Sequence, residues 1–323
     1  MVVLITGATG HVGSVLTRKA VQAGLDVVAI VRSLDRVDPS TADSLGPRVT
    51  WAACELNDPF QIAAVLGEHR VEGCIHCGAV PNDRLARPNP WGALQGNVTA
   101  TGALLEVARR QGWRRFIYVS TGSVFQTETD FTKPLFEDHA TSAHTVYGAT
   151  KLCGELLTRL YRHDYRLSAA SVRISFVYGP PLAPRVRDLP RGPLVALLRE
   201  AVLGQEVREP SGGDFQASFT YVEDVAEGLL AAYLADMLSH EVYHLGNGRN
   251  WTTFEAADAI RKAVPDAVVE VGPGTEPWTN LNTMRGPLSG SRLQKDVGFV
   301  ARYPLEVGVQ AFADWMRGHR DQL

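Results

Sequence analysis

The stretch Val2-Val3-Leu4-Ile5-Thr6-Gly7-Ala8-Thr9-Gly10-His11-Val12-Gly13 decides how the rest of the chain is read. Its four leading apolar residues, mostly β-branched, fit a short strand buried on both faces. A glycine-studded turn follows at once, and Ser14 to Ala23 carries helical spacing, with Val15, Leu16 and Val21 among its apolar positions. Strand, glycine turn and helix N-terminus together make a cradle for a pyrophosphate. The first N–H groups of a helix are unpaired, and the helix dipole adds partial positive charge there. Glycine lets the backbone approach a phosphate that a Cβ would hold away. The spacing is G-x-x-G-x-x-G and not the G-x-G-x-x-G of the dinucleotide fingerprint, so this stretch alone leaves a bland glycine-rich turn open.

Outward from this unit, strand and helix alternate. Val27–Val31 is a second apolar run and Arg48–Ala53 a third, followed by a helix from Pro59 to Gly67. Residues 73–77 form a fourth strand, a helix runs from Trp91 to Gln111, and Arg115–Val119 is the fifth strand. A helix over His144–Arg162 and a sixth strand over Ser168–Arg173 complete the series. Such alternation predicts an α/β fold, a parallel sheet with helices on both faces. The expected order is the six-stranded doubly wound one, with ligand at the C-terminal strand ends. After Gly179, Pro180, Pro181, Pro184, Pro190 and Pro193 break regular structure while Arg185, Arg187 and Arg191 cluster. There the chain is expected to leave the sheet for a second lobe.

Composition narrows the class. The 323 residues are 45% hydrophobic and 21% charged, ordinary for a globular protein, and a net charge of −3 offers no basic field to nucleic acid or an anionic membrane. The longest apolar runs fall short of the roughly 18 residues a membrane span needs. The start lacks the basic segment of a signal peptide, and four cysteines in so long a chain make no disulfide framework. A reducing cytoplasm is expected. Cys74 and Cys77 form a C-x-x-C, but they lie within an apolar strand and no second ligand pair exists; they are expected to be small core residues, and no metal is expected.

The chemistry sits at the strand ends. Strand five runs into Ser120-Thr121-Gly122-Ser123, a hydroxyl cluster at the ligand edge, and Tyr147-Gly148-Ala149-Thr150-Lys151 follows some 25 residues later. Tyr and Lys four apart share one helix face. A free tyrosine titrates near pH 10; a fixed cation lowers that value and makes the phenol a usable base, while a neighbouring hydroxyl can hold the substrate oxygen.

At this point the chain resembles the extended short-chain dehydrogenase/reductase family, which includes nucleotide-sugar epimerases and dehydratases. Besides the TGATGHVG, STGSVF and YGATK segments, Asn97-Val98-Thr99-Ala100-Thr101 is similar to the family's N-V-x-G-T. Val172-Arg173-Ile174-Ser175-Phe176-Val177-Tyr178-Gly179-Pro180 resembles its R-x-x-x-V-Y-G-P, Phe219–Val225 its F-x-Y-V-x-D-V, and Tyr243–Gly248 its Y-N-L-G-x-G. The resemblance covers nearly the whole chain. It implies a Rossmann domain over residues 1–180 plus 219–248 and a smaller C-terminal α/β substrate lobe over 181–218 plus 249–323. It makes Tyr147 the acid/base group, with Lys151 tuning it and holding the nicotinamide ribose. Thr121 would orient the substrate oxygen, and Asn97 would support the constellation. Gly7, Gly10, His11, Val12, Gly13, Arg32, Ser33, Glu55, Leu56, Cys77, Gly78, Asn97, Tyr147, Lys151 and Ile174 would line the cofactor. Thr121, Ser123, Phe176, Arg185, Arg191 and Arg285 would line a polar or anionic substrate, with Arg285 where the family's substrate-side arginine falls. The segment Ser291–Phe299 would be a helix packing the lobe, and helices 91–111 and 144–162 would form a homodimer interface, with Leu94, Val98, Leu105, Leu152 and Leu156 among its apolar positions.

Departures from the family shape the functional expectation. Gly122 and Ser123 stand where 4,6-dehydratases carry Asp-Glu, which removes the acid for water elimination. Glu55 replaces an aspartate that meets the adenine, so it either accepts the amine or faces solvent. His11 either approaches the pyrophosphate or is an exposed surface histidine. Strand two ends in Val31-Arg32-Ser33 where an NAD enzyme carries an acid. A guanidinium there suits a 2′-phosphate, so NADP is expected over NAD, the competing reading being that Asp35 meets the 2′-OH. The favoured activity is hydride transfer between a nicotinamide and a hydroxyl-bearing carbon of a sugar, sugar acid or polyol. The alternatives are a nucleotide-sugar epimerase with tightly bound cofactor, and a non-catalytic nucleotide-binding protein.

Overall fold

The computed structural model describes residues 1–126, 130–181, 192–280 and 282–323. Its centre is a sheet of β1 (Val2–Thr6), β2 (Asp26–Val31), β3 (Val49–Ala53), β4 (Gly73–His76), β5 (Arg115–Thr121), β6 (Ala169–Ile174) and β7 (Val242–His244). The order is β3-β2-β1-β4-β5-β6-β7, and every pairing is parallel. The first six strands follow the apolar runs. The seventh enlarges the six-stranded expectation: Val242 pairs with Ser171 and His244 with Arg173, extending the sheet beyond β6. Three residues carry too little periodicity to read as a strand on their own.

Alternate residues of the strands feed two cores. Val3 and Ile5 point to a face covered by α1 (His11–Gln22), through Val15 and Leu16. Leu4 points to the other face, covered by α2 (Pro59–Glu68) and α3 (Ala100–Gln111) through Ile62, Leu66, Leu104 and Leu105. On that second face α4 (Val146–Asp164) packs Leu157 and Tyr161, and on the first α5 (Val222–Leu234) packs Val225 and Leu229. Burial on both faces is why the central strands read as unbroken apolar runs. The helix expected over 91–111 is helical from Pro90 to Leu94, passes through a π turn at Gln95–Thr99 and continues as α3.

A second core gathers Leu194, Leu198, Phe215, Ile260, Val309, Phe312 and Met316. Helices Pro193–Leu203, Thr253–Ala263 and Leu305–Arg317 supply it, together with the parallel strand pair Val207–Glu209 and Val269–Val271. This is the smaller α/β lobe. The helix Ser291–Val297 forms, but its Leu293 joins the core of the sheet and not that of the lobe. The lobe is instead closed by Leu305–Arg317, whose apolar spacing is helical. No described helix is long and apolar enough to cross a membrane.

Candidate active site

The parallel sheet brings the C-terminal ends of β1 to β6 to one edge, and the order reverses between β1 and β4, the switch point at which open α/β sheets bind their ligands. The glycine turn lines it. Gly7 has φ +66°, and a Cβ there would stand 2.9 Å from the backbone of Gly78; one on Gly13 would stand 2.2 Å from the carbonyl oxygen of Gly7. Two of the three glycines are thus required by the chain's own packing, before any ligand is considered. Gly10 is the N-cap of α1, no side chain caps the helix and its first turn carries no acid. The N–H groups of that turn are therefore open to an anion, and this is where a dinucleotide's pyrophosphate fits.

Around the turn, Leu56 abuts Gly78, its Cδ1 lying 3.0 Å from where a Cβ would be. Val12 packs on the core and Cys77 is half-buried at the end of β4. Cys74 is fully buried, as expected of a core residue, and burial pushes the Cys77 thiol up to about 12. Glu55 is exposed beyond β3. Arg32 and Ser33 are exposed beyond β2, and the Ser33 hydroxyl donates to the Asp35 carboxylate. His11 corrects its surface reading: its Nε2 donates to the carbonyl of Gly179 at 2.8 Å, and burial holds the ring neutral, at about 4. That bond spans 168 residues and leaves no trace in local sequence.

Thr121 ends β5, is nearly buried, and accepts the Ser123 N–H at 3.1 Å. Opposite it, Tyr147 sits in the first turn of α4, which Thr145 caps by accepting the Gly148 N–H at 3.1 Å. The helix can approach because Gly148 lacks a side chain; a Cβ would meet the Ser123 carbonyl at 2.5 Å. Burial pushes the Tyr147 phenol up, against a hydrogen bond from Thr121 and the charge of Arg285, both of which lower it. Lys151 is buried with its Nζ 4.1 Å from the ring centre of Tyr118, held at about 7 by burial, with Cys77 and Glu155 opposing. The ammonium lies over the ring of the adjacent strand, and the charge of Arg285 works to lower the Tyr147 phenol.

Asn97 is buried in the π turn, a rare feature that gathers at functional sites. Its Oδ1 accepts the Val80 N–H at 2.7 Å, and its Nδ2 donates to the Val80 carbonyl at 3.2 Å and to Thr150 Oγ1 at 3.0 Å. The amide thus ties the loop after β4 to α4. Ile174 closes β6 opposite Thr121. Ser123 and Phe176 are half-buried, and Arg285 is buried with its guanidinium 5.7 Å from the Phe176 ring centre. Arg185 and Arg191 lie outside the described residues. Of the apolar positions assigned to a partner, Leu105 instead faces the sheet, whereas Leu94 and Leu156 are exposed.

Two buried polar groups escaped the sequence reading. His76 links Thr6 Oγ1 at 2.6 Å to Thr101 Oγ1 at 3.1 Å. Thr101 donates to the Asn97 carbonyl, so it accepts from His76, whose Nε2 therefore carries a proton. Burial holds it at about 3. The chain of bonds joins the glycine turn to the π turn. Glu155 of α4 accepts two bonds from Arg173 of β6, at 2.8 and 2.7 Å, and one from Ser120 of β5 at 2.5 Å. Arg173 also donates to His244 Nε2 at 3.2 Å, whose Nδ1 in turn donates to the Leu135 carbonyl. A four-residue Tyr–Lys pattern followed four residues later by Glu155 was the only available signal.

A doubly wound sheet with an anion-ready helix at its switch point, and a threonine, a tyrosine and a lysine at the neighbouring strand end, defines a dinucleotide-binding α/β protein of the oxidoreductase type. The chain belongs to the NAD dependent epimerase/dehydratase family, whose model matches residues 3–246. It is 26% identical over 330 residues to the UDP-glucose 4-epimerase of Mycolicibacterium smegmatis, covering 97% of this chain and 98% of the relative. The crystal structure of UDP-glucose 4-epimerase from Thermotoga maritima with UDP-glucose superposes with a TM-score of 0.86 at 21% identity, over 99% of this chain and 100% of that one. The UDP-glucuronic acid 4-epimerase of Bacillus cereus, in complex with UDP-glucuronic acid and NAD, gives 0.82 at 21% identity, over 99% and 100%.

Proposed function

We propose that this protein transfers a hydride between a nicotinamide and a hydroxyl-bearing carbon of a nucleotide-linked sugar, with Tyr147 as the acid/base group. The observation that carries the reading is the close approach of the first turn of α4, which bears Tyr147, to the end of β5, which bears Thr121, at Gly148, where a Cβ would meet the Ser123 carbonyl at 2.5 Å. The dinucleotide supplies the hydride acceptor when bound; α1 and the glycine turn would hold its pyrophosphate, and Lys151 its ribose. Thr121 holds the substrate hydroxyl against the phenol, and Tyr147 removes its proton as the carbon is oxidised. Arg285 favours the phenolate through its charge. With Gly122 and Ser123 after Thr121, no carboxyl group is available there to protonate a leaving hydroxyl, so elimination of water is not proposed.

Two forms of this chemistry are open: release of an oxidised product, and return of the hydride to the opposite face of the same sugar. The relatives named above act as 4-epimerases, which supports return. Denaturing the purified protein and identifying the released nucleotide separates the two. Stoichiometric dinucleotide supports the epimerase; none, with turnover that depends on added dinucleotide, supports the dehydrogenase.

The cofactor proposed is NADP, on the strength of Arg32 beyond β2 and of Val31 where an acid would repel a 2′-phosphate. The Ser33–Asp35 hydrogen bond favours the opposing NAD reading, because it holds a carboxylate near the same spot. Residues 1–180 plus 219–248 are proposed as the dinucleotide domain, and 181–218 plus 249–323 as the substrate lobe. A homodimer is proposed through residues 91–111 and 144–162: Trp91, Leu94, Leu156 and Leu160 are all exposed there, Trp91 by 68%. Val98, Leu156 and Leu160 line one depression on that face. A cytoplasmic location is proposed from four free cysteines.

A further inference from the structure

Thr6, His76, Thr101, Asn97 and Thr150 are all buried and lie on one run of hydrogen bonds beneath the site. Thr6, the last residue of β1, pairs in register with His76, the last of β4. The Gly78 N–H donates to Thr6 Oγ1 at 2.9 Å, and Thr6 Oγ1 lies 2.6 Å from His76 Nδ1. On the other side of the ring, His76 Nε2 meets Thr101 Oγ1, which donates to the Asn97 carbonyl at 2.7 Å. The Asn97 amide donates to Thr150 Oγ1 at 3.0 Å, and Thr150 donates to the Tyr147 carbonyl, also at 3.0 Å.

The run has one direction. A hydroxyl has a single proton; that of Thr101 goes to Asn97 and that of Thr150 to Tyr147, so each accepts on its other side. Burial keeps the His76 ring neutral, and with its proton on Nε2 the Nδ1 accepts from Thr6. Every donor thus points from the loop after β4 toward α4. A buried polar run that is satisfied throughout fixes one arrangement of the segments it joins. Its ends are the two halves of the site. Gly78 is packed on the glycine turn, where a Cβ on Gly7 would stand 2.9 Å from its backbone, and Tyr147 stands in the first turn of α4. Asn97 also grips Val80 by its N–H and its carbonyl, so the loop from Gly78 to Val80 is held at both ends.

We propose that His76 is a positioning residue for hydride transfer, the hub through which the dinucleotide cradle is kept in register with Tyr147. The inference rests on the hydride-transfer reading above. The sugar carbon must present its hydrogen to the nicotinamide and its hydroxyl to the phenol at once. A displacement of about 1 Å, caused far from the reacting atoms, can slow such a step ~10²-fold. The nicotinamide is carried from the glycine turn and the phenol from α4, two separate parts of the chain. Strand pairing between β1 and β4 ends at Thr6 and His76; beyond it these bonds carry the register to the loop and to α4. His76 acts at a distance, because its ring is fully buried against the rings of Phe116 and Tyr118 and meets neither substrate nor dinucleotide.

The test follows nicotinamide reduction in a single turnover at saturating dinucleotide, with UDP-glucose and UDP-glucuronate as probes. The proteins are wild type, His76→Phe, His76→Gln, Thr101→Val and the double variant His76→Phe with Thr101→Val. Affinity for NAD and NADP is measured separately by calorimetry on nucleotide-free protein, and folding by circular dichroism. His76→Phe keeps the ring contacts and removes both hydrogen bonds, Thr101→Val removes one hydroxyl at constant shape, and His76→Gln keeps an acceptor for Thr6 and a donor for Thr101. His76→Phe and Thr101→Val should each slow reduction ~10-fold or more, with the sugar concentration at half-maximal rate unchanged. Both should bind dinucleotide ~2–10-fold more weakly, the effect of one hydrogen bond. His76→Gln should recover most of the rate, and the double variant should be no slower than the slower single one, because both break the same run. A wild-type rate in Thr101→Val, effects that multiply in the double variant, or no recovery in folded His76→Gln overturns the hub while leaving hydride transfer standing. Absence of reduction in the wild type with both probes, dinucleotide being bound, overturns both.

Discussion

Lys151 of α4 holds its ammonium 4.1 Å from the ring centre of Tyr118 on β5. A buried lysine at about 7, against its ordinary 10.5, makes stability depend on pH. Between those values the unfolded chain binds a proton that the folded chain does not, so this site makes the folded state gain stability as pH rises. Urea unfolding of the dinucleotide-free protein at about pH 7 and about pH 9.5 should show wild type gaining on Lys151→Met. Equal changes in the two proteins would show that the ammonium is not desolvated.

The Glu155–Arg173 pair is buried on both sides and fastens α4 to β5 and β6 beneath the site. Removing one partner leaves a buried charge uncompensated. Glu155→Ala is expected to cost ~3–5 kcal/mol in denaturant unfolding, while Glu155→Leu combined with Arg173→Met should recover much of that loss. A single variant within ~1 kcal/mol of wild type would mean that water reaches the pair.

Much of this architecture was legible before any coordinates. The first six strands announce themselves because both of their faces are buried, so each is an unbroken apolar run. The glycine turn, the hydroxyl cluster at Thr121 and the Tyr147–Lys151 spacing are local patterns and fell where expected. What was not legible is what distant segments decide. The ammonium of Lys151 is directed by the Tyr118 ring, His11 by a carbonyl 168 residues away, and Asn97 by the loop at Val80. The seventh strand exists only because β6 offers it an edge.

The exposed face of Leu156 and Leu160 bears on assembly. Light scattering at micromolar concentration is expected to give a dimer, and Leu156→Glu with Leu160→Glu a monomer of unchanged fold by circular dichroism. A monomeric wild type would rule the interface out.

The proposed preference for NADP rests on Arg32. Titration of both dinucleotides into wild type and Arg32→Ala should show NADP binding weakened by ~1.5–3 kcal/mol, the range of a charge-assisted hydrogen bond, with NAD much less affected. Tighter binding of NAD than NADP by the wild type would transfer the 2′-position to Asp35.

The most direct test of the account is the nicotinamide signal itself. The dinucleotide-loaded protein is mixed with a nucleotide sugar, and the absorbance of reduced nicotinamide is followed in wild type and in Tyr147→Phe. The account predicts reduction in the wild type and a rate lower by ~10²-fold or more in the variant, the usual order for loss of a general acid–base group. Equal rates in the two proteins would contradict it.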